Sequence, residues 1–178
     1  MKKLICAFLA LTLTLAMTAC GGKPVEETTA PAANIEGTME ELLNKVIEAR
    51  PVEFAGGVYP IDLTDTSEEG MWAIKSFTGL EDPSQLSEAA AYEPMIGSIA
   101  FSLVMVRTAE GADTRAVADA MKSGVDPRKW ICVEADDMQV SGYGDVVMLV
   151  MIGSGNGSAQ TFTDGFAKVA GGQLDFTI

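Results

Sequence analysis

The chain has 178 residues, with 12 Lys and Arg against 25 Asp and Glu, no histidine, and a formal net charge of −13 at neutral pH. Without histidine, Ser-His-Asp and Cys-His catalysis and His-based zinc sites are excluded. The basic residues are scattered rather than clustered, so no nucleic-acid partner is expected, and the acidic balance disfavours close contact of the body with an anionic membrane surface.

The chain opens Met1-Lys2-Lys3, continues with a nearly unbroken apolar run from Leu4 to Leu15, and reaches Met17-Thr18-Ala19-Cys20-Gly21-Gly22. The apolar stretch ending at Ala19 is about 16 residues, short of the roughly 20 that a helix needs to cross the hydrocarbon core. It therefore reads as a signal segment rather than a retained span. Met17 to Cys20 resembles the lipobox of bacterial lipoprotein signal peptides, with methionine where leucine is usual. The resemblance implies cleavage after Ala19, a diacylglyceryl group on the sulfur of Cys20, palmitate labelling, and attachment to the outer face of the cytoplasmic membrane. Two acyl chains suffice for stable anchoring. The alternative is an ordinary secretory peptide cut near Ala19, with Cys20 incidental.

Residues 1–19 are thus expected to be a signal peptide, and 20–36 a lipidated cysteine with a tether. The tether runs from Gly21 through Pro24 and Pro31 to Glu36 without apolar periodicity, a composition that buries too little apolar area to offset chain entropy. Residues 37–178 are about the size of one domain. Cys6 leaves with the signal and Cys20 carries lipid, so Cys132 is the one thiol of the body and no disulfide framework is expected. Flanked by Ile131 and Val133, Cys132 reads as a small buried apolar residue.

Within the domain, Thr38-Met39-Glu40-Glu41 has the form of a capping box. Met39, Leu42, Leu43, Val46 and Ile47 then recur at helical spacing until Pro51. A second helix is predicted from Asp65 or Thr66, with Glu68 and Glu69 in its first turn and Met71, Ile74 and Phe77 inward, Trp72 beside them. Beyond Pro83, Glu88–Tyr92 and Ile96–Arg107 read as extended segments. In the second, Ile99, Phe101, Leu103 and Met105 point one way while Ala100, Ser102, Val104 and Val106 point the other, which marks a central, covered strand. Asp113 caps a helix that turns Val117, Ala120 and Met121 inward and ends near Asp126-Pro127. Asp137–Ser141, a turn at Gly142–Asp145 and Val146–Ile152 form a hairpin. Gly153–Gly157 is a loop, Thr161–Val169 a final helix with Phe162, Phe166 and Val169 inward, and Leu174–Ile178 a short edge strand. The sum predicts an α+β fold: N-terminal helices, then a ββαββα core, with an antiparallel sheet and helices mainly on one face.

Several of these residues together resemble a family of small lipoproteins of Gram-positive bacteria that carry domain of unknown function 4358. The resemblance spans about Gly79 to Ile152. It rests on Gly79-Leu80 before the Asp82-Pro83 turn, Tyr92 before Pro94-Met95-Ile96, the strand ending Leu103-Val104-Met105-Val106-Arg107, the helix near Asp113 to Met121, and Gly144-Asp145-Val146-Val147-Met148-Leu149-Val150. The family pattern places an arginine in the helix after the long strand; Arg115 and Arg128-Lys129 are looser matches. The resemblance implies a lipid-anchored extracytoplasmic domain and supplies no activity.

The chemistry left open by the missing histidine is Ser-Lys or paired-carboxylate. Lys75-Ser76 and Lys122-Ser123 are adjacent and diverge on a helix, unlike a Ser-x-x-Lys dyad. The pairs Glu81-Asp82 and Asp136-Asp137 have the composition for glycoside hydrolysis but read more simply as acidic turns. Asp62-Leu63-Thr64-Asp65 lacks the ligand spacing of an EF-hand, and Gly153–Ser158 lacks the Gly-Lys-Ser/Thr ending of a P-loop. Trp72, Tyr92, Trp130 and Tyr143 are candidates for a ligand surface, against the plainer reading of core or rim packing. No catalytic residue, cofactor or metal is assigned; Cys20 is the one site residue. The expectation is a noncatalytic envelope module with a protein partner, the alternatives being a carboxylate hydrolase or a small-ligand-binding lipoprotein.

Overall fold

The computed structural model describes residues 34–178, so the signal segment, Cys20 and most of the tether lie outside the described residues. Helix α1 (Met39–Ala49) opens on the predicted capping box: Glu41 N–H donates to Thr38 Oγ1 (3.2 Å) and Thr38 N–H to Glu41 Oε2 (3.1 Å). Strand β1 (Gly56–Pro60) follows, then α2 (Glu68–Thr78), capped by Ser67. The ββαββα core comprises β2 (Leu86–Pro94), β3 (Phe101–Thr108), α3 (Thr114–Gly124), β4 (Asp137–Tyr143), β5 (Val146–Ile152) and α4 (Ala159–Val169). Strand β6 (Phe176–Thr177) closes the chain. Asp113 caps α3 as predicted, its carboxylate accepting from the N–H groups of Arg115 and Ala116.

The six strands form one antiparallel sheet in the order β1-β2-β3-β5-β4-β6. The α+β class and the antiparallel core are as the sequence predicts. The helices, however, divide two to each face instead of gathering on one. Helices α1 and α4 bury Leu42, Leu43, Val46, Phe162 and Phe166 against Phe101, Leu103, Met105 and Met148. On the opposite face α2 and α3 bury Ile74, Val117, Ala118 and Met121 against Val104, Val106, Leu149 and Met151. The physical reason is the composition of the centre. Every residue of β5 is buried, and β3 is apolar or small on both sides, so water must be excluded from both faces. The inner face of α3 uses Ala118 where Ala120 was predicted; Ala120 is exposed.

Two local features position the surface of the α2/α3 side. Gly79 ends α2 at φ +76°, the left-handed C-cap that suits glycine. A side chain on Gly124, at the end of α3, would fall on the Gly79 carbonyl oxygen, so the helices meet backbone to backbone there. On the other side of the sheet, Arg107 of β3 fastens the start of the domain. It donates to Asp145 (2.8 Å) and to the carbonyls of Ile35 (3.0 Å) and Gly37 (2.8 Å). Among the described residues, no helix is long and apolar enough to cross a membrane.

Candidate functional site

The segment that leaves α3 crosses the end of the sheet and brings together residues that are far apart in sequence. Lys129 Nζ donates to Glu93 Oε1 of β2 (2.8 Å) and to Ser102 Oγ of β3 (2.9 Å), while Ser102 Oγ donates to the same Glu93 oxygen. The Lys129 and Glu93 side chains are only 10% and 16% exposed. The ammonium also lies over the rings of Phe77 (4.7 Å) and Trp130 (5.3 Å), a cation–π arrangement. Burial pushes the Lys129 amine below its ordinary pKa, and the Glu93 carboxylate opposes that shift. Ser102 is fully buried and hydrogen-bonded on both sides, so its oxygen does not meet a substrate. The trio acts as a clamp that pins the 126–135 segment to the sheet, not as a Ser-Lys nucleophile, which needs an accessible hydroxyl and an amine free to take its proton.

The clamp supports an exposed surface. Met95 and Ile96, just beyond β2, are 73% and 59% exposed, and Ile131, two residues past Lys129, is 76% exposed. Ile131 N–H donates to the carbonyl of Gly97 (3.4 Å), which joins the two apolar segments. Cys132, expected to be buried, is exposed at φ +62°. Its apolar neighbours belong to a turn on the sheet rim and not to a strand, so they direct it outward. Of the four aromatics singled out from sequence, Tyr92 is buried, and Trp130 and Tyr143 pack partly against the core. Trp72 departs from the packing reading: it is 71% exposed on α2, because the buried stripe runs through Gly70, Ile74 and Thr78.

The acidic candidates are occupied by local structure. Asp62 accepts from Thr64 N–H (2.9 Å) and Oγ1 (2.7 Å), Asp82 from Ser84 N–H (2.9 Å), and Asp136 from Ser154 N–H (2.6 Å). These bonds hold all three carboxyls below their ordinary pKa. A glycosidase acid requires the opposite shift. Glu81, beside Asp82, pairs with Lys75 instead (2.8 Å). Among the described residues, no group of three or more Cys, Asp or Glu is arranged to hold a metal ion.

Several depressions mark the surface of the described residues, two of them beside residues already named. One, of about 590 Å³, lies between the 51–54 segment and the Gly155–Ser158 loop, with Phe54, Ile99 and Phe162 among its walls. The other, of about 510 Å³, lies between α2 and the segment after α3, where Trp72, Lys75 and Ser76 face Asp126, Arg128 and Lys129. The sequence offered no signal for the clamp beyond a serine in the apolar run from Phe101 to Val106. Comparison with protein-family models, curated proteins and solved structures finds no match to the chain.

Proposed function

We propose that this chain is a lipid-anchored extracytoplasmic binding module related to the lipoproteins that carry domain of unknown function 4358. In this reading Cys20 carries the lipid at the outer face of the cytoplasmic membrane, and the domain engages a protein of the cell envelope without catalysing a reaction. The observation that carries it is the set of large exposed apolar side chains Met95, Ile96 and Ile131, on two segments that flank the Lys129–Glu93–Ser102 clamp and are joined by the Ile131–Gly97 hydrogen bond. Exposed apolar groups on a rigid support are the usual anchors of protein interfaces, because little ordering entropy remains to be lost on binding. The acidic residues favour no hydrolase, since those that resemble catalytic pairs are committed to turns, caps and exposed ion pairs.

The anchor is tested by palmitate labelling: Cys20→Ala abolishes labelling and membrane retention, whereas an unlabelled variant that stays fully membrane-bound refutes it. The surface is tested by crosslinking in living cells followed by mass spectrometry. Ile131→Asp is expected to cut capture of the partner by about tenfold, equivalent to 1.4 kcal/mol, with the thermal midpoint unchanged. Capture that is indifferent to Ile131→Asp and Met95→Asp together refutes this surface.

A further inference from the structure

The lining of the Trp72 depression is richer in cations than the chain as a whole, although Glu81, Glu134 and Glu93 each pair with one of them and Glu68 and Glu69 border the far side of the indole. The chain carries 25 acidic side chains against 12 basic ones, yet Lys75, Arg128 and Lys129 converge here with a single acid, Asp126. Lys75 and Arg128 spend their charges on Glu81 (2.8 Å) and Glu134 (2.9 Å), and all four of those side chains are exposed. Exposed pairs of this kind hold at most about 1 kcal/mol, so an incoming anion displaces them at little cost. Lys129 is different, because the clamp holds it in place with its charge already answered by Glu93, so the charges open to an anion are those of Lys75 and Arg128.

The remaining groups select for more than charge. The indole of Trp72 presents a wide, unpacked face in water, the surface on which a ring stacks. Asp126 Oδ1 accepts from Arg128 N–H (2.9 Å), and Oδ2 takes no hydrogen bond among the described residues. That oxygen and the Ser76 hydroxyl match ring hydroxyls as acceptor and as donor or acceptor. A volume of about 510 Å³ lies within the usual range for small-molecule sites.

We propose that this depression binds an acidic sugar, with the pyranose ring stacked on Trp72, its hydroxyls on Asp126 and Ser76, and its carboxylate or phosphate on Lys75 and Arg128. The site is separate from the apolar surface formed by Met95, Ile96 and Ile131 and is independent of the lipid anchor. Full-length protein in a neutral detergent is titrated by calorimetry with digalacturonic acid, glucose 6-phosphate, neutral cellobiose, inorganic phosphate, adenosine monophosphate and triglutamate.

The expected result is a dissociation constant near 10⁻⁴ M, about −5.5 kcal/mol, for digalacturonic acid, for glucose 6-phosphate or for both. The arm that binds identifies the carboxylate or the phosphate as the anion recognised. Cellobiose and inorganic phosphate bind at least about tenfold more weakly. Trp72→Ala and Arg128→Gln each weaken binding of the acidic sugar by about tenfold or more, while the thermal midpoint stays unchanged. Four results overturn the proposal: no binding of either acidic sugar by folded protein at about 10 mM; inorganic phosphate bound as tightly as the sugars; tighter binding of adenosine monophosphate or triglutamate; or affinity indifferent to both substitutions.

Discussion

The two sides of the sheet solve the same packing problem with different materials. On the α1/α4 side the helices lie along one another over an aromatic centre, with the Phe101 ring edge-on to Phe54, Tyr92 and Phe162 at centroid distances of 5.1, 5.9 and 5.0 Å. The buried cluster of that layer is apolar among the described residues, with the Arg107–Asp145 pair at its edge. On the α2/α3 side the core is mainly Val, Ala, Leu and Met, the helices meet near their ends at Gly79 and Gly124, and a buried ion pair stands at the rim. Each layer borders a depression, but the one on the α1/α4 side is walled by Phe54, Ile99 and Phe162, whereas the one on the α2/α3 side gathers the charged groups of Lys75, Asp126, Arg128 and Lys129.

The sharpest way to break this comparison is to remove the aromatic centre. Phe101→Ala is expected to destabilise the domain by about 3–5 kcal/mol, read from urea unfolding, because the rings of Phe54, Tyr92 and Phe162 all close on that side chain. A loss below about 1 kcal/mol would show that the two layers contribute alike. Next in size is Lys129→Ala, which leaves Glu93 buried without its counter-ion and is expected to cost about 3 kcal/mol. The double change Glu93→Gln with Lys129→Met should recover most of that loss while leaving the 126–135 segment faster in amide exchange, since the clamp is gone but no charge is stranded. Failure of the double variant to recover stability would mean that the lysine's contacts with Phe77 and Trp130 matter more than its charge.

The smallest effect concerns acid. Asp62, Asp65, Glu81 and Asp82 all flank α2, and hydrogen bonds or Lys75 hold each below its ordinary pKa of 3.8 for Asp or 4.5 for Glu. A carboxyl with a depressed folded pKa contributes stability above its unfolded value and loses it as pH falls through the folded one. As the pH falls below about 4, the protection of α2 amides, taken relative to their intrinsic exchange rates, should therefore fall before that of α1 and α4. Simultaneous loss of protection in all helices would erase the distinction between the two layers at this level.

What could be read from sequence divides along the same line. The Thr38–Glu41 box, the alternating faces of β3, the Asp113 cap and the β4–β5 hairpin are local patterns, and the structure contains each of them. Strand β1 was illegible because Gly56-Gly57-Val58-Tyr59-Pro60 has no alternation; its partner β2 makes it an edge strand. The clamp was illegible for a different reason. Glu93, Ser102 and Lys129 come from two strands and a loop, and only the antiparallel pairing of β2 with β3 and the turn after α3 bring them within hydrogen-bonding distance. Cys132 shows the hazard of reading burial from neighbours: Ile131 and Val133 suggest a core strand, but the backbone there has left the sheet. Trp72 shows the same hazard on a helix, where a shift of one position moves a side chain about 100° around the axis.

The grip of Arg107 on residues 35 and 37 has a mechanical consequence. The guanidinium ties the chain just ahead of α1 to β3, one of the two innermost strands, and to the turn carrying Asp145. Tension arriving from upstream must first break those carbonyl contacts and then the Thr38–Glu41 box before it can unwind α1. The load is thereby handed to the stiffest part of the molecule, and the helix that covers the aromatic centre is spared from being peeled away turn by turn.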